Sequence, residues 1–206
     1  MKIGLFGAIN GVRIRKYFTT GLNKYLKIES IEKICSENTI PFKTTPTINC
    51  AETITIFEEA NAEVGLSLGN GYIGSKVFCL PKFGMINIHH EELPAYQNAQ
   101  SIIWQIYNGS RNTGYTIHKI DKEIDQGEIL FQESIPIDFR ETLGETISFN
   151  YAKLWGKSAV GLVKVLEDFH NSFDNSKPQG KGTSYTTPSL WSYMKMEREF
   201  KRLKSE

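Results

Sequence analysis

An apolar run, Met85-Ile86-Asn87-Ile88-His89, ends in an amide and an imidazole, and Asp125 follows in Ile124-Asp125-Gln126-Gly127. Those three side chains have the types needed to move an acyl group onto an amine. An amide N–H stabilises an oxyanion without changing its own charge, and such donors supply the largest single gain in acyl transfer. An imidazole has an unperturbed pKa of about 6.5, near working pH, so it can donate to the oxyanion or relay a proton. A carboxylate can orient that imidazole and favour its charged form. Neither a metal nor a covalent enzyme intermediate is required. Taken singly, each residue has a plainer reading, as a turn former, a satisfied histidine and a hairpin aspartate.

The spacing gives the group its weight. In a strand, residues i and i+2 share a face, so Asn87 and His89 can face one site. Asp125 falls in a loop between two further strand candidates, over residues 114–120 and 128–137. His89-His90-Glu91-Glu92 also has metal-ligand residue types. Alternation lets only His89 and Glu91 converge there, with His118 needed to complete a set, so no metal is expected.

Strands alternating with helices in the first half predict an α/β fold: a Rossmann-like, doubly wound, mostly parallel sheet with a short C-terminal helical extension. Lys2–Ala8 reads as the opening strand, Val12–Leu26 as the first helix, and residues 27–62 as one more strand and helix. Ala62–Leu68 is the next strand, and Ala99–Tyr107 a helix capped by Asn108-Gly109. Thr142-Leu-Gly-Glu145 is a capping box opening a helix to about His170, with Ile147, Tyr151, Leu154, Leu162, Leu166 and Phe169 on its buried side. Asn171–Ser184 reads as a loop, and Ser189–Lys204 as a terminal helix burying Leu190, Tyr193, Met194 and Phe200. Residues 1–170 form the expected catalytic domain, and 171–206 a loop, short strand and helix on or near it.

Composition bounds the rest. The 206 residues suffice for one well-buried domain, and a formal net charge of +1 gives no bulk field for nucleic acid. Cys35, Cys50 and Cys79 lack metal spacing and read as buried thiols in a reducing compartment. No signal-peptide core or membrane span is visible, so a cytoplasmic protein without a membrane partner is expected.

The strings Met85–Tyr96, Trp104-Gln-Ile-Tyr-Asn-Gly109, Thr113–His118 and Ile124-Asp-Gln-Gly127 resemble the folate-dependent formyltransferases, which share an Asn-x-His and a later Leu/Ile-Asp-x-Gly. The likeness is strong over residues 63–137 and thin beyond 140. It implies catalytic roles for Asn87, His89 and Asp125, with 10-formyltetrahydrofolate as formyl donor. It further implies that Gly69, Tyr72, Ile73 and Gly74 meet the pteridine while Lys122, Glu123 and Ile124 close over it. The plain alternative for Gly69-Asn-Gly71 is a turn.

Within that family, Leu66–Gly74, Trp104–Gly109 and Tyr115–His118 look most like the nucleotide-sugar N-formyltransferases. The implied acceptor is an amine on a UDP- or dTDP-linked amino deoxysugar of a bacterial surface glycan. Asn10, Glu91, Tyr96, Gln97 and Trp104 are the candidate substrate contacts, although Trp104 on an apolar helix also reads as core. Many members have Ser two residues after the His and Arg-Gly after the Tyr of Leu-Pro-x-Tyr; here Glu91 and Gln97-Asn98 stand instead, and loss of the Arg removes an anion clamp. Length is read as favouring a sugar or glycinamide ribonucleotide acceptor over tRNA, and a homodimer is compatible with the pattern. The competing class is a binding module without turnover, which retention of all three chemical groups argues against.

Overall fold

Strand alternation sorts the side chains around the site. In the computed structural model, which describes residues 5–98 and 100–206, the chain runs α1 (Leu5–Tyr25), α2 (Ile31–Glu37), α3 (Ala51–Ala60), β1 (Gly65–Ser67), α4 (Ser75–Phe78) and β2 (Met85–His89). It continues through α5 (Ile103–Tyr107), β3 (Asn112–Lys119), β4 (Ile129–Pro136), α6 (Leu143–Glu167), α7 (Phe169–Asp174) and α8 (Leu190–Ser205). The sheet order is β1-β2-β3-β4, with β1 parallel to β2 and antiparallel pairing from β2 to β3 and from β3 to β4. Among the described residues, three of the four strands therefore run in one direction and β3 opposes them. The sheet is mixed and mostly, not purely, parallel, with helices packed against it.

One face of β2 carries Ile86, which joins Ile117 and Tyr115 of β3 and Ile147 and Leu154 of α6 in the main core. The other face carries Met85, packed with Ile73, Val77 and Phe78 from the α4 region. Asn87 and His89 share the Met85 face by the two-residue period. Full burial of each large aliphatic side chain contributes about 1.5–3 kcal/mol, so both faces hold β2 in register.

The opening strand expected over Lys2–Ala8 lies outside the described residues as far as Gly4; from Leu5 the chain is helical. Asn10, Ile14 and Gly21 are buried and Tyr17 and Phe18 partly so, which is the recurrence of a helix face, not of a strand. Gly21 lets α1 lie directly on α6: an added Cβ would collide with the Ser148 carbonyl. No strand forms between residues 27 and 62 among the described residues; α2 and α3 occupy that stretch.

The helix expected from Ala99 begins only at Ile103, because Ile102 has φ +71°, outside the helical region. Its predicted end holds, with the Asn108 N–H returning to the last turn and Gly109 at φ +74°. Thr142 caps α6 by accepting the Glu145 N–H at 3.1 Å. That helix stops at Glu167, so Phe169 belongs to α7, and Leu166 is exposed instead of buried. The expected 171–184 loop starts as α7, and the short C-terminal strand reduces to isolated bridges at Lys177 and Ser184. In α8 the buried stripe is Tyr193, Met196, Phe200 and Leu203; Met194 points outward. Of the cysteines expected to be buried only Cys35 is, while Cys79 is exposed; all three are free. Among the described residues no helix is long and apolar enough to cross a membrane.

Candidate active site

The register of β2 against β3 sets Asn87 opposite His118 and His89 opposite Thr116. Asn87 Nδ2 lies 3.3 Å from His118 Nε2, and His118 Nδ1 lies 2.9 Å from the Lys119 carbonyl oxygen. A carbonyl can only accept, so the neutral ring carries its proton on Nδ1 and its Nε2 accepts from the Asn87 amide. Burial pushes the His118 pKa down, opposed by the Lys119 carbonyl and by Asp125, whose carboxylate is 3.7 Å from Nε2. His118 thereby fixes the Asn87 amide, leaving its second N–H for another acceptor.

His89 Nε2 donates to the Tyr96 carbonyl oxygen at 2.8 Å, which turns Nδ1 toward Asp125 Oδ2 at 3.6 Å. Nδ1 thus faces the Asp125 carboxylate, which orients the ring. Asp125 has φ +56°, a left-handed conformation that Asp tolerates better than most residues. The Asn98 N–H holds its Oδ2 at 2.8 Å. Asn87, His89, His118 and Asp125 thus form one polar centre, with the His89 and Asp125 side chains only 11% and 12% exposed.

This centre opens into a cavity of about 440 Å³. One wall is the turn after β1, with Gly69, Gly71, Tyr72 and Ile73; a second is the loop bearing Asp121, Glu123, Ile124 and Asp125. Beyond β2, Phe18 of α1, Tyr151 of α6, Gln100 and Ser101 complete it. The cavity lies at the carboxyl end of the parallel pair, where ligands of open α/β sheets bind.

Residues 30–154 match the formyl transferase family model, more than half of the chain. The chain belongs to that family. Curated relatives include the methionyl-tRNA formyltransferase of Clostridium acetobutylicum, 31% identical over 168 residues covering 81% of this chain and 52% of that one. The methionyl-tRNA formyltransferase of Thermotoga maritima is 34% identical over 161 residues, 78% of this chain and 50% of that one. The chain thus spans about half the length of these relatives. Among solved structures, the fold is similar to formyltransferase PseJ from Anoxybacillus kamchatkensis in complex with UDP-4,6-dideoxy-4-formamido-L-AltNAc and tetrahydrofolate. There the TM-score is 0.57 at 22% identity, over 76% of this chain and 82% of that one. It is likewise similar to the N-formyltransferase from Helicobacter canadensis in complex with folinic acid and dTDP-3-aminofucose, with TM-score 0.57 at 19% identity over 93% of this chain and 77% of that one.

For this formyl transferase domain the expected residues divide sharply. Asn87, His89 and Asp125 meet at the cavity, and Gly69, Tyr72, Ile73, Glu123 and Ile124 line it. Gly74 does not: it caps α4, and its N–H donates to Asn49 Oδ1 at 2.7 Å. Lys122 is exposed beside the cavity without lining it.

None of the five expected substrate contacts lines the cavity. Asn10 is buried and donates to the Pro188 carbonyl at 3.3 Å. Gln97 is buried, its N–H donating to the Thr183 carbonyl at 2.9 Å. The Tyr96 ring stacks on Tyr185 at 5.5 Å, although its carbonyl holds His89. Trp104 is core, with Nε1–H donating to Thr186 O at 3.1 Å. Glu91 is fully buried: its Oε1 accepts the Ile102 N–H at 3.0 Å, satisfying a helix-start donor. Burial holds its carboxyl well above the usual carboxylate range, Glu92 adding to the effect and the Ile102 N–H opposing it. The imagined His89–Glu91 pairing is broken by this inward turn.

His90 also faces inward, stacked on Trp155 with ring centroids 5.2 Å apart and 3.1 Å from Ser158 Oγ. Burial and then repulsion by His89 lower its pKa to about 4. The sequence reading missed the part His118 plays. Its signal was there: Thr116 and His118 share a strand face, and pairing with β2 in register sets His118 beside Asn87.

Proposed function

We propose that this chain transfers a formyl group from 10-formyltetrahydrofolate to a primary amine, and that the amine belongs to a UDP- or dTDP-linked amino deoxysugar used in bacterial surface glycan synthesis. The observation that carries the reaction is the convergence of Asn87, His89 and Asp125 at the mouth of one cavity. The site suits a folate: Gly69, at φ +85°, and Gly71 leave open the space that side chains would fill, while Ile73 gives the cavity a buried apolar surface. Bound there, the cofactor would supply an activated formyl group.

The chain's own groups divide the remaining work. Asn87, fixed by His118, presents an N–H toward negative charge gathering on the acyl oxygen. His89, with Nε2 on the Tyr96 carbonyl and Nδ1 facing Asp125, can relay a proton toward that oxygen or toward a leaving nitrogen. Asp125 orients His89 and offers a carboxylate through which the proton of the attacking amine can leave. Burial of the four groups strengthens each interaction relative to water.

For the acceptor, support comes from the shared fold of sugar N-formyltransferases bound to UDP- and dTDP-sugars. A second reading, methionyl-tRNA as acceptor, is favoured by the curated relatives at 31% and 34% identity. A cytoplasmic location belongs to the same proposal. The test is formyl transfer from 10-formyltetrahydrofolate to a panel of UDP- and dTDP-amino sugars, glycinamide ribonucleotide and methionyl-tRNA. Turnover of an amino sugar well above the other two is the expected result. Transfer to methionyl-tRNA alone, or to glycinamide ribonucleotide alone, contradicts the sugar acceptor and leaves the chemistry standing.

A further inference from the structure

A C-terminal strap over residues 177–185, outside the family-matched region 30–154, crosses both loops that build the polar centre. At one end Lys177 and Ile129 exchange backbone hydrogen bonds of 2.8 and 2.9 Å. At the other, the Gln97 N–H donates to Thr183 O at 2.9 Å, the Tyr185 N–H to Gln97 O at 2.9 Å, and the Thr183 N–H to Pro94 O at 3.2 Å. This second end fastens the loop whose Tyr96 carbonyl holds His89 and whose Asn98 N–H holds Asp125.

Between the two ends lies Gln179. Its Nε2 donates to Asp125 O at 3.0 Å and to Gly127 O at 2.7 Å, so both amide hydrogens are used on the catalytic loop. That loop needs holding. Asp125 sits in the left-handed region, and such conformations persist where the surroundings over-determine them. Gly127 packs so closely on β3 that an added Cβ would collide with the Lys119 carbonyl. Asn98 fixes the Asp125 carboxylate and Gln179 fixes its backbone; together they define where the carboxylate stands relative to His89.

We propose that Gln179 is a positioning residue for Asp125, acting through the two carbonyls that flank the turn. Its relevance to turnover rests on the formyl-transfer reading above; its effect on the Asp125 loop does not. Gln179→Glu keeps the side-chain volume but removes both donors, and Gln179→Ala removes the whole group.

Two measurements on the full chain test the proposal. The first is amide hydrogen exchange at Asn98, read by NMR without any substrate, because that N–H is protected only while Asp125 Oδ2 stays in place. Both variants should speed Asn98 exchange by about tenfold or more, while the Gln97 and Tyr185 amides paired with the strap keep wild-type rates. The second is steady-state formyl transfer, where both variants should lower kcat by about tenfold to a hundredfold with KM little changed, as expected for a misplaced catalytic group. Wild-type Asn98 exchange in Gln179→Glu overturns the proposal. So does exchange that rises equally at Gln97 and Tyr185, since Gln179 would then merely hold down the strap. If the wild-type chain transfers formyl to no acceptor, the functional reading fails while the exchange comparison still decides the role of Gln179.

Discussion

Two neighbouring side chains just after β2, His90 and Glu91, set opposite limits on stability. His90 is held neutral, its pKa lowered from 6.5 to about 4. It therefore contributes stability above its unfolded pKa that is lost as pH falls from about 6.5 toward 4, and the downward shift of His118 acts in the same direction. Glu91 is held protonated, its pKa raised above 4.5, so its contribution is complete below 4.5 and declines as pH climbs toward the folded value. Glu91→Gln keeps an acceptor for the Ile102 N–H and cannot ionise. Thermal melts from pH 5 to pH 9 should show this variant gaining on wild type as pH rises. A difference that stays constant across that range would mean the buried carboxyl does not resist ionisation. Asn87 makes the other residue-scale prediction. In the proposed reaction its amide would act on charge present only in the transition state, so Asn87→Ala should lower kcat by about a hundred- to thousand-fold with a small change in KM. A large KM increase with normal kcat, in steady-state kinetics, would instead make it a binding group.

At the scale of elements, α1 lies directly on α6, and Gly21 permits it. Ala has the better helix propensity by about 1 kcal/mol, which would favour Gly21→Ala in an exposed helix. Here the new Cβ meets the Ser148 carbonyl, a backbone atom that cannot swing away, and overpacking of this kind costs about 1–3 kcal/mol. The clash should win, and chemical denaturation should show Gly21→Ala less stable than wild type; greater stability would mean that α1 does not pack on α6 in this way. The same elements show what sequence could and could not reveal. β2 was legible as an apolar run ending in a polar pair, β3 and β4 as strand candidates flanking the Asp125 loop, and Thr142–Glu145 announced α6 through its own capping chemistry. α1 was misread at its start because a short apolar run with glycines fits strand and helix equally; its partner α6, more than a hundred residues away, decides between them. In α8, Met194 and Met196 are equally apolar, and only the rotation set by docking buries the second.

At the scale of the molecule, the convergence of Asn87, His89 and Asp125 was readable and most of the cavity around them was not. Asn87, His89 and Asp125 each have a plain structural reading alone, and it was their spacing together that asked for a chemical reason. The five expected acceptor residues lie away from the cavity: Asn10, Glu91 and Trp104 spend their polar side-chain atoms on buried or capping backbone groups, and Gln97 and Tyr96 are held through their backbone. Chain segments distant in sequence supply the far wall of the cavity, with Phe18 from α1 and Tyr151 from α6, and no local pattern marks them. The C-terminal strap belongs to the same class, since its purpose is visible only once it lies across the two loops.

The central claim is that Asn87, His89 and Asp125 form a formyl-transfer centre, and single-turnover transfer from 10-formyltetrahydrofolate tests it most directly. The measurement compares wild type with His89→Ala and Asp125→Ala, each shown to be folded by its thermal transition, on whichever acceptor wild type uses best. The account predicts transfer by the wild-type chain and a loss of about a hundredfold or more in each variant, because each removes proton handling that water performs poorly. Transfer at the wild-type rate by either folded variant would contradict it.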